Sequence, residues 1–385
     1  RFRIRFPNEE LPAGGPFRTT PIYDRLKERH AVFGDMCGLE HALWFAPSAA
    51  EAEDHFSFRR SNDFPHVAKE VEAVRARVGM IEIANFAKYD ITGAGAEAWL
   101  DHLLPNRLPK SGRMVLTPML NRAGMLIGDF TLARLSDDHF MIFGSGLAEE
   151  YHRRWFQAEL PASGVSVRAH GLDLVGLHIA GPRARDLLAS LASRDVSAAA
   201  FKFMDIARMN VGPLPALVGR VSYTGDLGYE IWVKPEHQRA LFDLLMAAGA
   251  DHGIGLFGAR AFNSLRLEKS FGSWSREYRP IYTPWEAGLD RFVSTQKADF
   301  IGRDALLAAR DAGPTRRIAT FVVDALDADV IGDEPIWRDG KVVGWVTSGG
   351  YAHHSKASVA IGYVEAGAFD PAAPYEIEII GERRP

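Results

Sequence analysis

The chain has 385 residues, 47% of them hydrophobic and 24% charged, with a net charge of −4 and a pI near 6.4. This is ordinary globular composition, long enough for two or three domains, and its slight acidity favours neither nucleic acid nor an anionic membrane as a partner. Cys37 is the sole cysteine, which excludes an intrachain disulfide and a thiolate metal cluster, and no apolar run reaches the roughly 18 residues that cross a bilayer.

The chain begins with Arg1. Its opening, "RFRIRFPNEELPAGGPFRTT", lacks the apolar core of a signal peptide, and Glu9 and Glu10 argue against a transit peptide. Such a start predicts either processing or a piece of a longer chain. Residues 1–55 are rich in Pro, Gly and aromatics and read as an extended arm, with a short helix in "TTPIYDRLKERHAVFG" and a loop at "HALWFAP". Val67, Val71, Val74 and Val78 recur at helical spacing, predicting a helix over 66–79 that Gly79 stops.

"KYDITG" reads as a strand and "AGAEAWLDHLL" as a helix. "GRMVLTPMLN", "GMLIGDFTLARLS" and "HFMIFGS" read as hairpin-linked strands, followed by the helix "LAEEYHRRWFQAEL". "LHIAGPRARDLLASL" then repeats the strand–Gly–helix pattern of "DITGAGAEAWLDHL", with Pro182 at a helix start. The repeat predicts two related α+β subdomains over residues 56–313. "VSYTGDLGYEIWV" predicts two strands around a tight loop. Helices are expected at 237–249, 258–269 and 300–312. From 314 to 385 the texture changes to short strands with "RDGK" as a hairpin turn, predicting a C-terminal β-barrel.

Several motifs are missing. No GxGxxG follows a strand, and neither GxxxxGK[ST] nor GxSxG occurs. His353 and His354 are adjacent; strand neighbours point to opposite faces, which favours surface or loop histidines over a metal site. Two carboxylates stand out. Asp129 interrupts a β-prone run, and Glu230 sits beside an apolar strand face just after a loop carrying Asp226. A mid-strand acid costs free energy unless it is solvated, paired or used. Arg260, Asn263 and Arg266 share one predicted helix, with Arg260 and Asn263 on one face. Taken alone, each of these is as well explained by an ordinary solvent-facing position.

Four separated stretches together point further: "SYTGDLGYEIWV", "GARAFNSLRLEKSF", "YTPWEAGLDRFV…DFIGRDAL" and "EPIWRDGKVVGWVTSGGYAHHSKASVAIGYV". Residues 56–385 resemble the tetrahydrofolate-dependent aminomethyltransferase family, the T-protein of the glycine cleavage system. The first 55 residues resemble one branch, the folate-binding C-terminal half of the FAD-dependent dimethylglycine and sarcosine dehydrogenases.

The resemblance implies an α+β fold of three subdomains in a cloverleaf, with folate in a central channel. It divides the chain into an arm (1–55) after an absent flavin domain, a folate-binding domain (56–313) and a C-terminal barrel (314–385). It implies that Asp129 is the family's essential aspartate, although Gly128 stands where T-proteins usually have a first aspartate. It implies that Glu230 grips the pteridine, with Tyr223 flanking the ring, and Gly225 and Gly228 admitting close backbone approach. Arg260 resembles a family arginine near the folate, its fork facing Asp129 or the folate tail.

The expected activity is capture of the iminium methylene from an oxidatively demethylated N-methyl amine, such as dimethylglycine or sarcosine, to give 5,10-methylenetetrahydrofolate. The cofactor is tetrahydrofolate, with FAD on an absent N-terminal domain or a partner subunit. No nucleic acid, metal or membrane is expected as a partner, and the compartment is cytoplasmic, or the mitochondrial matrix in a eukaryote. The alternatives are a standalone T-protein serving a lipoyl carrier, a methyl-transferring demethylase, and a non-catalytic folate-binding or regulatory module.

Overall fold

The computed structural model describes residue 6, residue 9 and residues 15–385; most of the predicted arm before residue 15 lies outside the described residues. The chain starts with α1 (Tyr23–Lys27) and a hairpin, β1 (Ala31–Met36) and β2 (Leu39–Phe45). The second strand takes up "HALWF", where the sequence predicts a loop. Its Ala42, Leu43 and Trp44 are buried in succession, so it shows no period-2 alternation. α2 (Phe64–Ala76) stops three residues before Gly79, because Val78 and Gly79 already belong to β3 (Val78–Glu82). Gly79 is needed for packing: a Cβ there would lie 2.4 Å from Val74 and 2.7 Å from Phe257.

The next unit comprises β4 (Ala87–Thr92), α3 (Ala96–Leu103), β5 (Arg113–Leu120), β6 (Leu126–Arg134), β7 (His139–Gly144), α4 (Glu149–Glu159) and β8 (Ser166–Ala169). It is followed by β9 (Val175–Ala180), α5 (Ala184–Leu191), β10 (Ile206–Val211), β11 (Leu214–Gly219), β12 (Gly228–Val233), α6 (Pro235–Gly249), β13 (Ile254–Leu256) and α7 (Ala259–Leu267). A long irregular segment leads to α8 (Arg303–Ala312). The chain ends with β14 (Arg316–Val323), β15 (Pro335–Arg338), β16 (Lys341–Ala352), β17 (Ala357–Glu365), β18 (Glu376–Ile379) and β19 (Glu382–Arg384).

The internal repeat is visible in the pairing. The first sheet runs β5-β6-β7-β4-β8 and the second β10-β11-β12-β9-β3-β13. In each, a three-strand meander lies beside the strand that opens a strand–Gly–helix unit, β4 or β9. The glycine that follows has φ +120° at Gly93 and +128° at Gly181, and a Cβ at either would meet a backbone oxygen, at 2.3 and 2.4 Å. Both positions therefore require glycine for the same two reasons. α5 begins at Ala184, two residues after Pro182.

One apolar cluster draws on both sheets, with Met141 and Phe143 of the first packed with Leu217 and Trp232 of the second. The Phe143 and Trp232 rings stack with centroids 5.2 Å apart. The third sheet runs β14-β17-β16-β15-β18-β19, and Asp324 N donates to Pro385 O at 2.8 Å, which draws its outer strands together. It meets the first sheet through a cluster containing Leu120, Leu126, Tyr282 and Tyr363. Three sheets thus surround a common centre.

Candidate functional site

A cavity of about 850 Å³ occupies that centre, within the size range of small-molecule sites. Its wall draws on all three sheets, through Asp129 and Thr117, through Glu230 and Ile81, and through Thr320 and Ile361. The segment after α7 crosses it with Phe271, Trp274 and Tyr278.

Asp129 is on β6, where the backbone pairs with Pro118 of β5, and its Oδ1 is buried without a hydrogen-bond partner. Burial pushes its carboxyl up to about 8, the nearby Glu277 carboxylate adds to the rise, and its own backbone N–H works the other way. Glu230 is on β12, opposite Gly219 and His178. Burial pushes it up to about 7, against a hydrogen bond from Trp232. Both acids therefore titrate near neutrality while facing one cavity.

Tyr223 lines the same cavity. It lies in the loop between β11 and β12, where a strand was expected; β11 has already ended at Gly219. The loop is held by side-chain bonds instead of a ladder, Ser222 Oγ lying 2.7 Å from Thr224 Oγ1 and 3.3 Å from His178 Nε2. Tyr223 Oη donates to Gly272 O at 2.6 Å, and its ring packs on Phe262 and Phe271 with centroids 5.4 and 5.9 Å away. Burial raises its phenol well above the ordinary value, so it stays neutral.

Gly225 and Gly228 do not line the cavity. Gly225 is required by its φ of +74°, and a Cβ at Gly228 would press on His178 and Ser222 at 2.7 and 2.8 Å. Both shape the loop that presents Tyr223. Arg260 also lies outside the cavity wall. Its fork grips Asp54 through two 2.8 Å bonds and Asp63 at 3.0 Å, while Trp44 Nε1 donates to the same Asp54 at 2.8 Å. It thus ties α7 to the end of the arm, and its acidic partners are Asp54 and Asp63, not Asp129. On a helix three residues turn the chain by about 300°. From Arg260 to Arg266 the direction changes by about a third of a turn, which moves the later arginine to the cavity.

Arg266 is the arginine that sequence reasoning did not assign. Its Nε donates to Asn263 Oδ1 at 2.9 Å and its Nη1 to Phe271 O at 2.9 Å, and it forms a 3.2 Å ion pair with Glu277. Glu277 is wholly buried and also accepts from Ser273 N at 2.8 Å and Thr347 Oγ1 at 2.6 Å. The i, i+3 spacing of Asn263 and Arg266 was the available signal; Glu277 lies in an irregular stretch that gave none. Gly128, just before Asp129, has no room for a larger residue, since a Cβ would lie 2.6 Å from the Phe130 ring and 3.3 Å from His152 Nε2. His353 and His354 sit at a turn, their backbone N–H groups donating to Ser264 Oγ and Glu268 Oε1. No cluster of metal-ligating side chains occurs among the described residues.

The three-sheet α+β fold falls in a known class of domain. Residues 22–297 match the GCVT N-terminal domain and residues 316–385 the glycine cleavage T-protein C-terminal barrel domain. The chain belongs to this family. Dimethylglycine dehydrogenase of Mus musculus is 36% identical over 386 residues, covering 99% of this chain and 44% of its own length. The chain therefore spans less than half the length of that relative. An aminomethyltransferase of Desulfitobacterium hafniense is 26% identical and covers 90% of both chains. The crystal structure of glycine cleavage system aminomethyltransferase T from Bartonella henselae superposes with a TM-score of 0.82 at 24% identity, over 96% of this chain and 95% of that one, so the fold is shared. Among the described residues, no helix is long and apolar enough to cross a membrane.

Proposed function

We propose that the cavity binds tetrahydrofolate and that the chain is the aminomethyltransferase-type part of a one-carbon-transferring protein. The observation that supports this is the convergence of Asp129 and Glu230, from separate sheets, on one cavity beside Tyr223. The residues suit a reduced pterin. Asp129 Oδ1 is a buried acceptor without a donor, and such atoms are normally bonded in the working state. Glu230 offers a carboxylate to a ring edge that carries two adjacent N–H donors.

When bound, tetrahydrofolate supplies a nucleophilic nitrogen that accepts a one-carbon unit. Glu230 fixes the ring edge, and Tyr223, held by Gly272, gives it a flat wall. Asp129, poised near neutrality, is matched to accept a proton there. Ionised, it stabilises a cationic carbon donor. A donor held beside the folate nitrogen is captured before its competing fate, hydrolysis to formaldehyde.

In this reading the donor is the iminium of a small N-methyl amine, such as dimethylglycine or sarcosine, oxidised on a flavin domain or subunit, and the product is 5,10-methylenetetrahydrofolate. The near-complete alignment of this chain, arm included, with part of a dimethylglycine dehydrogenase supports it. A second reading, a standalone aminomethyltransferase, draws support from the mutual 90% coverage with the Desulfitobacterium hafniense relative. Calorimetry with tetrahydrofolate tests the shared step, and absence of binding refutes both. Turnover with an N-methyl amine and its flavin oxidase, compared with turnover on an aminomethylated lipoyl carrier, separates the two.

A further inference from the structure

Glu82, the last residue of β3, also reaches the cavity, from the opposite face of the second sheet. Glu230 pairs with His178 and His178 with Ile81, so these three share one face. Glu82 pairs with Leu177, and Leu177 with Ile231, on the other. The cavity reaches both faces because β13 pairs only with Val78, Gly79 and Met80, which leaves the end of β3 uncovered on that side. The arm closes this annex: Met36 and Phe45 line it together with Asn85 and Phe86, and Asn85 Nδ2 lies 3.5 Å from Met36 Sδ.

The charge of Glu82 is poorly matched. Among the described residues its donors are neutral, Gln238 Nε2 at 2.6 Å and the Thr20 hydroxyl, and it has no salt bridge. The Lys88 ammonium, which acts on it, is fully buried, donates to Ala84 O at 2.8 Å, and shares its field between Glu149 and Glu82. Burial pushes Glu82 up to about 7. Gln238 and Thr20 satisfy its hydrogen bonds but are neutral, so they leave its charge uncompensated. A buried carboxylate short of a counter-ion, beside sulfur and aromatic walls, complements a compact cation that carries methyl groups.

We propose that Glu82 and the arm side of the cavity form a binding site for a small N-methylated ammonium ion, which passes round the end of β3 to or from the Asp129 chamber. The choice of amine rests on the function proposed above; the cation site rests on the geometry of Glu82.

The test uses the full 385-residue chain and dimethylammonium chloride as the probe, with saturation-transfer NMR as the readout and sodium chloride at equal ionic strength as the control. Saturable binding by the parent is expected, at least tenfold weaker in Glu82→Gln. Met36→Trp, which fills the annex from the arm, is expected to weaken it similarly and serves if Glu82→Gln does not fold. Equal binding by parent and variants, or no saturable binding by the parent, overturns the site. Tetrahydrofolate affinity is measured on the same samples. A parent that binds the amine without folate leaves this site standing and removes the folate reading; one that binds folate without the amine does the reverse.

Discussion

Arg266, which lines the cavity, and Glu277 form an ion pair 3.2 Å long, with side-chain exposures of 7% and 0%. Its acid also raises the Asp129 carboxyl, so one buried pair serves both the fold and the site. Replacing Glu277 by Ala leaves Arg266 buried without its partner, a change that costs about 3–5 kcal/mol when such pairs are broken. A large fall in denaturation midpoint is expected. In Glu277→Gln, which keeps the acceptor, Asp129 should titrate lower than in the parent. Carboxyl NMR titration checks this, and an unmoved Asp129 would show that Glu277 does not act on it.

Asp129→Asn keeps the shape of the side chain and removes its charge and proton-accepting capacity. Folate binding should persist and most of the one-carbon transfer should disappear. Single-turnover product formation, read beside calorimetric affinity, checks this; equal transfer rates would remove Asp129 from the chemistry.

Glu230→Ala takes the acceptor from two ring donors. Folate affinity should fall by about 2 kcal/mol or more, on the order of 30-fold. Calorimetry on the folded variant is the measurement, and an unchanged Kd would place the ring elsewhere.

Arg260→Ala should leave folate affinity intact in the folded protein while loosening the arm, because its partners are Asp54 and Asp63. The largely covered Asp54, which also accepts from Trp44, is then left short of positive charge. Faster limited proteolysis between residues 46 and 63 is the expected signature. A proportionate loss of folate binding without arm cleavage would assign Arg260 to the ligand after all.

The buried carboxyls set a pH dependence of stability with a definite sign. Glu70 and Asp129 are pushed up to about 8, and Glu82 and Glu230 to about 7. In the unfolded chain such groups ionise near 4, so between about 4 and 8 the folded state holds more protons. Stability then falls as pH rises. His152 and His178, lowered to about 4 by burial, act oppositely, but only up to their unfolded value near 6.5. Denaturant midpoints should therefore decline most clearly between about pH 6.5 and 8, and less steeply in Asp129→Asn. A midpoint that rises across this interval would contradict the burial of these acids.

Much of the fold was legible in the sequence because it depends on local pattern. The meanders, most helices and the repeated strand–Gly–helix unit follow from side-chain period and from glycines that no other residue replaces, Gly93 and Gly181 above all. Asp129 and Glu230 stood out because a carboxylate in an apolar strand contradicts its surroundings. Local pattern failed where neighbours override it, as at β2, whose buried run has no alternation, and at Val78, which leaves the helical stripe for a strand.

What the sequence by itself determined is a three-part α+β chain with two misplaced acids. Tertiary structure decided that those acids line one cavity, that Arg266 rather than Arg260 lines it with them, and that Glu82 enters from the other face of the sheet. The physical reason is that a side chain's direction follows from local geometry, whereas its partner and its exposure to water are fixed by residues distant in the chain, such as Glu277 for Arg266 and Asp54 for Arg260.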